Sequence, residues 1–138
     1  REILDKELEK NFNQSVLPDT IVRLLEKIYK LNENADVGFR RKNTAALLFK
    51  YFIDMHAGFG QIATVLKKYK YAFIVVGNNR TEAGGEDIAI PTDDFTAMIA
   101  ESNSFELIEK IPMTVQPSYL IHAKNSINKE SILVLRRE

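Results

Sequence analysis

Residues 71–79, YAFIVVGNN, decide the fold of this chain. The run from Tyr71 to Gly77 is short, apolar and rich in β-branched residues, and it ends in a Gly-Asn-Asn turn signal. This pattern predicts a buried strand in the middle of a sheet. Open α/β sheets bind ligands beyond the carboxyl ends of such strands. We therefore expect function to depend on residues 78–86, at the start of a polar loop predicted for NNRTEAGGEDIAIPTDD.

Three helices are predicted ahead of this strand. The first covers about residues 2–12, and the second follows Pro18 and ends near Asn32. Both are amphipathic, and the apolar residues of the second share one face: Ile21, Leu24, Leu25, Ile28 and Leu31. A long third helix begins at Asn43 or Thr44. Two glycines, at positions 58 and 60, weaken its middle, where a break is the alternative to a continuous helix.

The elements after the strand predict the fold class. A short helix begins near Thr92, and two further strands, FELIEKIPMTV and SILVLRR, follow with no helix between them. Helices that alternate with strands and close on such a pair predict an α/β sheet with an antiparallel terminal hairpin, preceded by two amphipathic helices. We predict a single domain over residues 1–138, with residues 1–36 as its helical amino-terminal segment.

Composition and charge exclude several classes of protein. The chain has 19 basic and 19 acidic residues and no cysteine. It therefore has no disulfide framework and no thiolate metal site, and we expect a cytoplasmic protein. No apolar run approaches the roughly 18 residues that cross a bilayer, so no membrane partner is predicted. The charges are unevenly distributed, because residues 37–70 carry seven basic residues and one acidic residue.

The carboxy-terminal hundred residues resemble a known enzyme family. The segments KYFIDM, VLKKYKYAFIVVGNN, IPTDDFTAMIAESNSFELIEKI and NKESILVLRR are similar to the carboxy-terminal half of S-adenosylmethionine-dependent DNA amino-methyltransferases. Those enzymes methylate adenine N6 or cytosine N4. The resemblance implies a partial Rossmann-like methyltransferase sheet in which YAFIVVG is the fifth strand, FELIEKI the sixth and SILVLRR the seventh. It also implies that the seventh strand lies antiparallel beside the fifth.

The more specific motifs of the family are missing from this sequence. Nothing matches the Gly-rich, phenylalanine-containing loop that holds the cofactor methionine. An Asp-Pro-Pro-Tyr type tetrapeptide is absent, because the prolines at 18, 91, 112 and 117 are never adjacent. The resemblance therefore implies S-adenosylmethionine as cofactor of the complete enzyme, with none expected for this chain alone. It implies DNA as partner, in a restriction-modification system, and a split or truncated enzyme whose upstream half supplies the first strands.

Three residues after the predicted fifth strand are candidates for the lining of the active-site cleft. Asn78, Asn79 and Arg80 offer amide and guanidinium groups that suit a base edge or a phosphate. The alternative is that the two asparagines only form a turn. Gly84-Gly85 is a weaker candidate, for a phosphate-binding nest, and a tight turn is the commoner role of such a pair.

A basic segment supports a second function. Arg40, Arg41, Lys42 and Lys50 are candidates for contacts with a DNA backbone, and a solvated basic turn is the alternative. This segment is also the basis of the other functional hypothesis, a noncatalytic α/β module that binds nucleic acid or protein.

The remaining candidates favour structural roles. His56 and His122 have no partners at metal-ligand spacing, so no metal site is predicted. Asp93 and Asp94 are predicted to stabilise the start of a helix rather than act as paired catalytic carboxylates. The aromatic residues near 69–73 favour core packing over base stacking. If the first strands are absent, the fifth strand exposes an unpaired edge, which predicts either a homodimer or a cover formed by the first two helices.

Overall fold

The computed structural model describes residues 11–12, 15–33, 38–114 and 129–138. Its elements are α1 (Asp19–Glu33), α2 (Phe39–Lys42), α3 (Thr44–Val65), β1 (Tyr71–Gly77), β2 (Asn79–Ala83), β3 (Glu86–Ile90), α4 (Thr92–Glu101), β4 (Phe105–Thr114) and β5 (Lys129–Arg137). The predicted helix at 2–12 lies outside the described residues, apart from two helical residues at its end.

The chain divides into two compact units, which are described separately. One unit contains residues 1–55 and 82–88, and the other contains residues 56–81 and 89–138. The prediction of a single domain over 1–138 stays a prediction. Helix α3 runs through the boundary without interruption, so the glycines at 58 and 60 do not break it.

In the first unit, α1 buries the face that the sequence predicted. The carbonyl of Pro18 accepts hydrogen bonds from the backbone N–H groups of Ile21 and Val22, which fixes the first turn. Ile21, Leu25 and Ile28 are fully buried. Burying one such side chain stabilises the folded state by roughly 1.5–3 kcal/mol compared with leaving it in water. Packing of this face therefore stabilises the helix far more than the intrinsic helix propensity of its residues does.

A buried asparagine joins three elements of this unit. Asn32, at 1% exposure, donates from Nδ2 to the carbonyl of Arg41 at 2.8 Å, and its Oδ1 accepts from the Gly84 N–H at 3.1 Å. Gly84 has a φ of +57°, and a Cβ there would lie 2.7 Å from the carbonyl oxygen of Leu31. Only glycine fits this close approach to α1 without displacing backbone.

The prediction of a polar loop after β1 is wrong. Strands β2 and β3 pair as a two-stranded sheet, with Gly84 and Gly85 at the turn. Both glycines have positive φ, at 57° and 80°, as a two-residue hairpin turn matched to strand twist requires. Gly84-Gly85 therefore makes a tight turn, the alternative that the sequence had left open.

The second unit contains a three-stranded antiparallel sheet in the order β1–β5–β4. Strand β5 pairs with β1 from Tyr71↔Arg136 to Gly77↔Glu130. It pairs with β4 on its other side, with a register shift between Leu107 and Glu109. This arrangement confirms the predicted antiparallel insertion of the last strand beside β1, and it confirms the α/β fold with an antiparallel terminal hairpin.

One face of this sheet forms the core of the second unit. Leu133 and Leu135 of β5 and Phe105 of β4 are fully buried. Helix α4 packs on the sheet and buries Phe95, Thr96, Ile99 and Ala100, among other residues. Phe59 of α3 meets Phe105 edge to face, with ring centroids 5.9 Å apart, so the second half of α3 belongs to this core.

The other face of β1 contradicts the prediction of a buried strand, and it contradicts the prediction that the aromatic residues near 69–73 pack in the core. Tyr71, Phe73 and Val75 are 49%, 67% and 59% exposed. In the described part of the chain, β1 lies at an edge of the sheet rather than in its middle. A continuous apolar run is typical of a strand covered on both faces, which is why the sequence alone misled here.

At the end of the sheet where β1 starts, Arg137 joins several backbone segments. Its Nε donates to the carbonyl of Ala63 in α3 at 2.9 Å, and its Nη1 donates to the carbonyls of Glu138 at 2.8 Å and Ser104 at 3.4 Å. Tyr69 and Ser104, which precede β1 and β4, have φ of 66° and 69°. Both are non-glycine residues in the left-handed region, which costs energy.

Candidate functional site

The candidate site lies at the carboxyl end of β1. Asn78 follows the strand directly, and its Oδ1 accepts a hydrogen bond from the Asp93 N–H in the first turn of α4 at 3.0 Å. The first N–H groups of a helix have no partner within the helix. The Asn78 side chain therefore supplies the hydrogen-bond acceptor that the helix itself lacks at this N–H. This contact fixes the start of α4 against the end of β1.

The Asp93 carboxylate is the centre of this site. It is 4% exposed, and its Oδ2 accepts from the Ser131 hydroxyl of β5 at 3.0 Å. Its Oδ1 accepts from the Asp94 N–H at 2.7 Å. Lys110 of β4 lies 3.5 Å from Asp93 Oδ2 and donates to Asp94 Oδ1 at 2.8 Å. We call Asn78, Asp93, Asp94, Lys110 and Ser131 the carboxyl-end cluster.

The surroundings of Asp93 and Lys110 favour the charged forms of both groups. Burial acts to raise the pKa of Asp93, but the Asp94 N–H, the Ser131 hydroxyl, the Lys110 ammonium and the Asn78 side chain together lower it below 3.8. The hydrogen bond to Asp94 raises the pKa of Lys110 above 10.5. Both groups stay charged at neutral pH. Asp93 is therefore a fixed anion, and it is unsuited to act as a general base with a pKa near 7.

Asn79 and Arg80 lie beside this cluster, at the start of β2. Both are exposed, so their side chains lie at the surface of the edge where α/β sheets bind ligands. Asn78 is exposed as well, and its side-chain oxygen accepts from the backbone of α4. All three residues predicted to line a cleft thus lie at the surface, and Asn78 also holds the start of α4.

The basic residues predicted to bind DNA lie on α2 and the first half of α3, in the other unit. Arg41 pairs with Glu82 at 3.3 Å and Lys50 with Asp54 at 2.7 Å, and all four side chains are about half exposed or more. Lys42 is partly buried. The side chain of Arg40 lies outside the described part of the structure. Exposed ion pairs of this kind contribute at most about 1 kcal/mol each.

The residues that the structure describes offer no site for a metal ion. No group of three or more His, Asp or Glu side chains in that part of the chain is arranged to hold a metal ion. His56 is partly buried on α3, and His122 lies outside the described residues. No helix within the described ranges is long and apolar enough to cross a membrane.

Sequence reasoning overlooked Lys110 and Ser131. Ser131 is the single hydroxyl in the strand KESILVLRR, and it is 5% exposed on the core face of the sheet. A lone buried hydroxyl in an apolar strand needs a partner, and this was the only available signal. This signal did not identify Asp93 as the partner of Ser131, because the two residues lie 38 positions apart in the sequence.

Comparison with known proteins relates this fold to a methyltransferase. No family model and no curated protein matches the chain. Among solved structures, the chain is similar to a candidate DNA modification methylase from Thermus thermophilus, determined in complex with S-adenosyl-L-methionine. The TM-score is 0.53 at 17% identity, over 67% of this chain and 38% of the methylase. The chain thus spans well under half of that protein, and its fold is methyltransferase-like.

Proposed function

We propose that this chain is the carboxy-terminal portion of a DNA amino-methyltransferase that acts on adenine N6 or cytosine N4. The observation that carries the proposal is the strand order β1–β5–β4 with β5 antiparallel to both neighbours. An antiparallel last strand beside an otherwise Rossmann-like element is the feature that the family resemblance implied. The likeness to a methylase bound to S-adenosyl-L-methionine supports the same proposal.

In this proposal the chain forms one wall of the active-site cleft and does not carry the chemistry. Asn79 and Arg80 contact the DNA or the cofactor, and the carboxyl-end cluster holds the strand end that presents them. The Gly-rich loop and the Pro-Pro tetrapeptide come from an upstream half of a split or truncated enzyme. Methyl transfer to a base needs that base outside the helical stack. A cytoplasmic restriction-modification system is the setting that we propose.

Complementation tests this proposal. The isolated chain should give no heat with S-adenosylmethionine in calorimetry and no methyl transfer to DNA. Adding a polypeptide with the amino-terminal half of the enzyme should restore transfer of the labelled methyl group. Replacing Arg80 with alanine in the complemented enzyme should lower transfer about tenfold or more, since a hydrogen bond to a charged group contributes about 1.5–3 kcal/mol. Failure of every such half to restore transfer would reject the proposal.

The second candidate function is a noncatalytic module that binds nucleic acid through Arg40, Arg41, Lys42 and Lys50. It is favoured by the exposure of Arg41 and Lys50, whose weak ion pairs a phosphate can replace. DNA binding by the isolated chain that falls with salt, and is lost in the double variant Arg41→Ala, Lys50→Ala, would support it. The double variant Lys67→Ala, Lys68→Ala removes the same charge elsewhere and should leave such binding unchanged.

A further inference from the structure

The two edges of the three-stranded sheet are built differently. Strand β4 carries features that prevent edge-to-edge pairing: the charged residues Glu106, Glu109 and Lys110, the imino acid Pro112 and a register shift at Ile108. Strand β1 has none of them, since YAFIVVG contains no charged residue and no proline. No strand pairs with the outer side of β1 in the described residues. Among the strands that the structure describes, one edge of the sheet is therefore protected and the other is open.

The open edge is also apolar on its exposed face. Residues directly opposite each other in an antiparallel pair point to the same face. Phe73 lies opposite the buried Val134, and Val75 lies opposite the partly exposed Ile132, which in turn lies opposite the exposed Ile111. Phe73 and Val75 keep more than half of their surface exposed. An exposed apolar strand with an open backbone edge is suited to pairing with another strand.

The hydrogen bonding of β1 fixes which positions are available for such pairing. The N–H of Arg137 donates to the carbonyl of Lys70. Because bonded and non-bonded pairs alternate along an antiparallel ladder, the even-numbered residues of β1 direct their backbone groups to β5. The odd-numbered residues, Tyr71, Phe73 and Val75, direct theirs to the open edge. These are the same residues whose side chains are exposed.

We propose that two copies of this chain pair through β1, antiparallel, about a two-fold axis at Phe73. In this register Phe73 lies opposite its own copy, and Tyr71 lies opposite Val75, so every exposed side chain of the strand meets another. An isologous contact of this kind closes as a dimer. The result is a continuous six-stranded sheet whose two outer edges are the protected β4 strands.

Charge favours the antiparallel arrangement. Lys67, Lys68 and Lys70 directly precede β1, so strands that run in the same direction would place two sets of three ammonium groups side by side. The two-fold arrangement separates them to opposite ends of the shared ladder, and it leaves only apolar residues across the interface. A strand from the amino-terminal half of the enzyme would occupy the same edge. The homodimer is therefore the form of this chain alone, and the inference does not depend on the proposed function.

Mass measurements in solution test the interface. The chain should sediment at about twice its 15.8 kDa monomer mass. Phe73→Lys places like charges on the two-fold axis and should reduce the mass to that of one chain, with an unchanged circular dichroism spectrum because Phe73 is exposed. Ile108→Lys, at an exposed position on the protected strand, should leave the dimer intact. A wild-type monomer, or a dimer that only Ile108→Lys disrupts, would overturn the proposal.

Crosslinking tests the register. The chain has no cysteine, so a single introduced thiol reports one contact without interference. Paired residues in an antiparallel ladder have Cα atoms about 5.5 Å or less apart, within the range of a disulfide. Phe73→Cys should form a disulfide-linked dimer under mild oxidation, and Ile111→Cys should stay monomeric on a denaturing gel. Equal crosslinking of the two variants would mean random collision and would contradict the proposed axis.

Discussion

The two ends of the three-stranded sheet are held together by different chemistry. At the carboxyl end of β1, a buried carboxylate accepts hydrogen bonds from side chains and backbone of α4 and β5 and lies beside an ammonium from β4. At the opposite end, a cation donates to backbone carbonyls of α3 and of the turn before β4. The first end therefore depends mainly on contacts between side chains of separate elements, whereas the contacts of Arg137 at the second end are with backbone carbonyls.

Each end offers a pair of neighbouring residues of the same type whose surroundings differ. At the carboxyl end, Asp93 is buried and Asp94 is half exposed. At the other end, Arg137 donates to backbone carbonyls and Arg136 to the side chain of Glu106. The pairs separate the contribution of these surroundings from that of the charge alone.

The largest expected effect comes from removing the buried carboxylate. Asp93→Ala should lower the free energy of unfolding by about 2–3 kcal/mol, because it leaves the Ser131 hydroxyl and the Lys110 ammonium without a buried partner. Asp94→Ala removes an exposed carboxylate, 52% exposed, and should cost less than about 1 kcal/mol. Urea unfolding followed by circular dichroism measures both. Equal losses of unfolding free energy in the two variants would show that the buried carboxylate of Asp93 stabilises the fold no more than the exposed one of Asp94.

At the opposite end, Arg137→Met should lower the free energy of unfolding by about 1–2 kcal/mol, since the carbonyls of Ala63 and Ser104 lose a charged donor. Methionine keeps much of the apolar stem and isolates the loss of the guanidinium. Arg136→Met is the control, because its guanidinium pairs with the half-exposed Glu106 at 2.7 Å, and it should cost less stability than Arg137→Met. The same urea titration compares the two variants. A larger loss for Arg136→Met would contradict the described role of Arg137.

The two ends should also differ in their response to acid. The folded state lowers the pKa of Asp93 below 3.8, so its ionised form stabilises the fold above that pH, and the stabilisation is lost as pH falls through the lower folded value. Asp93→Asn should therefore show a smaller loss of stability than wild type between neutral pH and pH 3. Arg137→Met should keep the wild-type slope. Unfolding curves at a series of pH values measure these changes. If wild type and Asp93→Asn lost the same free energy of unfolding over this pH range, Asp93 would not be the source of the acid sensitivity.

The smallest effect concerns the backbone that Arg137 fixes. Ser104→Gly should raise the free energy of unfolding by up to about 1 kcal/mol, because glycine adopts the positive φ of this turn without a steric cost. Ser102→Gly is the control at negative φ, since Ser102 has a φ of −74°. It should lose at least roughly 0.5–1 kcal/mol, because glycine adds flexibility and the Ser102 hydroxyl no longer donates to the carbonyls of Met98 and Ile99. Thermal unfolding resolves both changes. If Ser102→Gly also raised the free energy of unfolding, the gain in Ser104→Gly would not result from relief of the positive φ.

The sequence predicted the strands of this sheet better than their surroundings. The segments 71–77 and 105–114 and the antiparallel placement of the last strand follow from composition, spacing and family resemblance. The β2–β3 hairpin was missed even though a Gly-Gly pair before the alternating run EDIAI is a hairpin signal, because its polar residues are equally typical of a loop. The contact between Asp93 and Ser131 was not predictable, since local patterns carry no information on partners far apart in sequence.

The position of β5 has a consequence for biosynthesis. The strand at the centre of the sheet is made after both of its neighbours, so neither β1 nor β4 can pair within the sheet until residues 129–137 have left the ribosome. Until then the nascent polypeptide presents two unsatisfied strands, and non-local pairing of this kind is slow and exposed to aggregation. A premature stop codon near residue 128 would therefore remove the element that joins both partners, and proteolytic degradation would be the expected fate of the product.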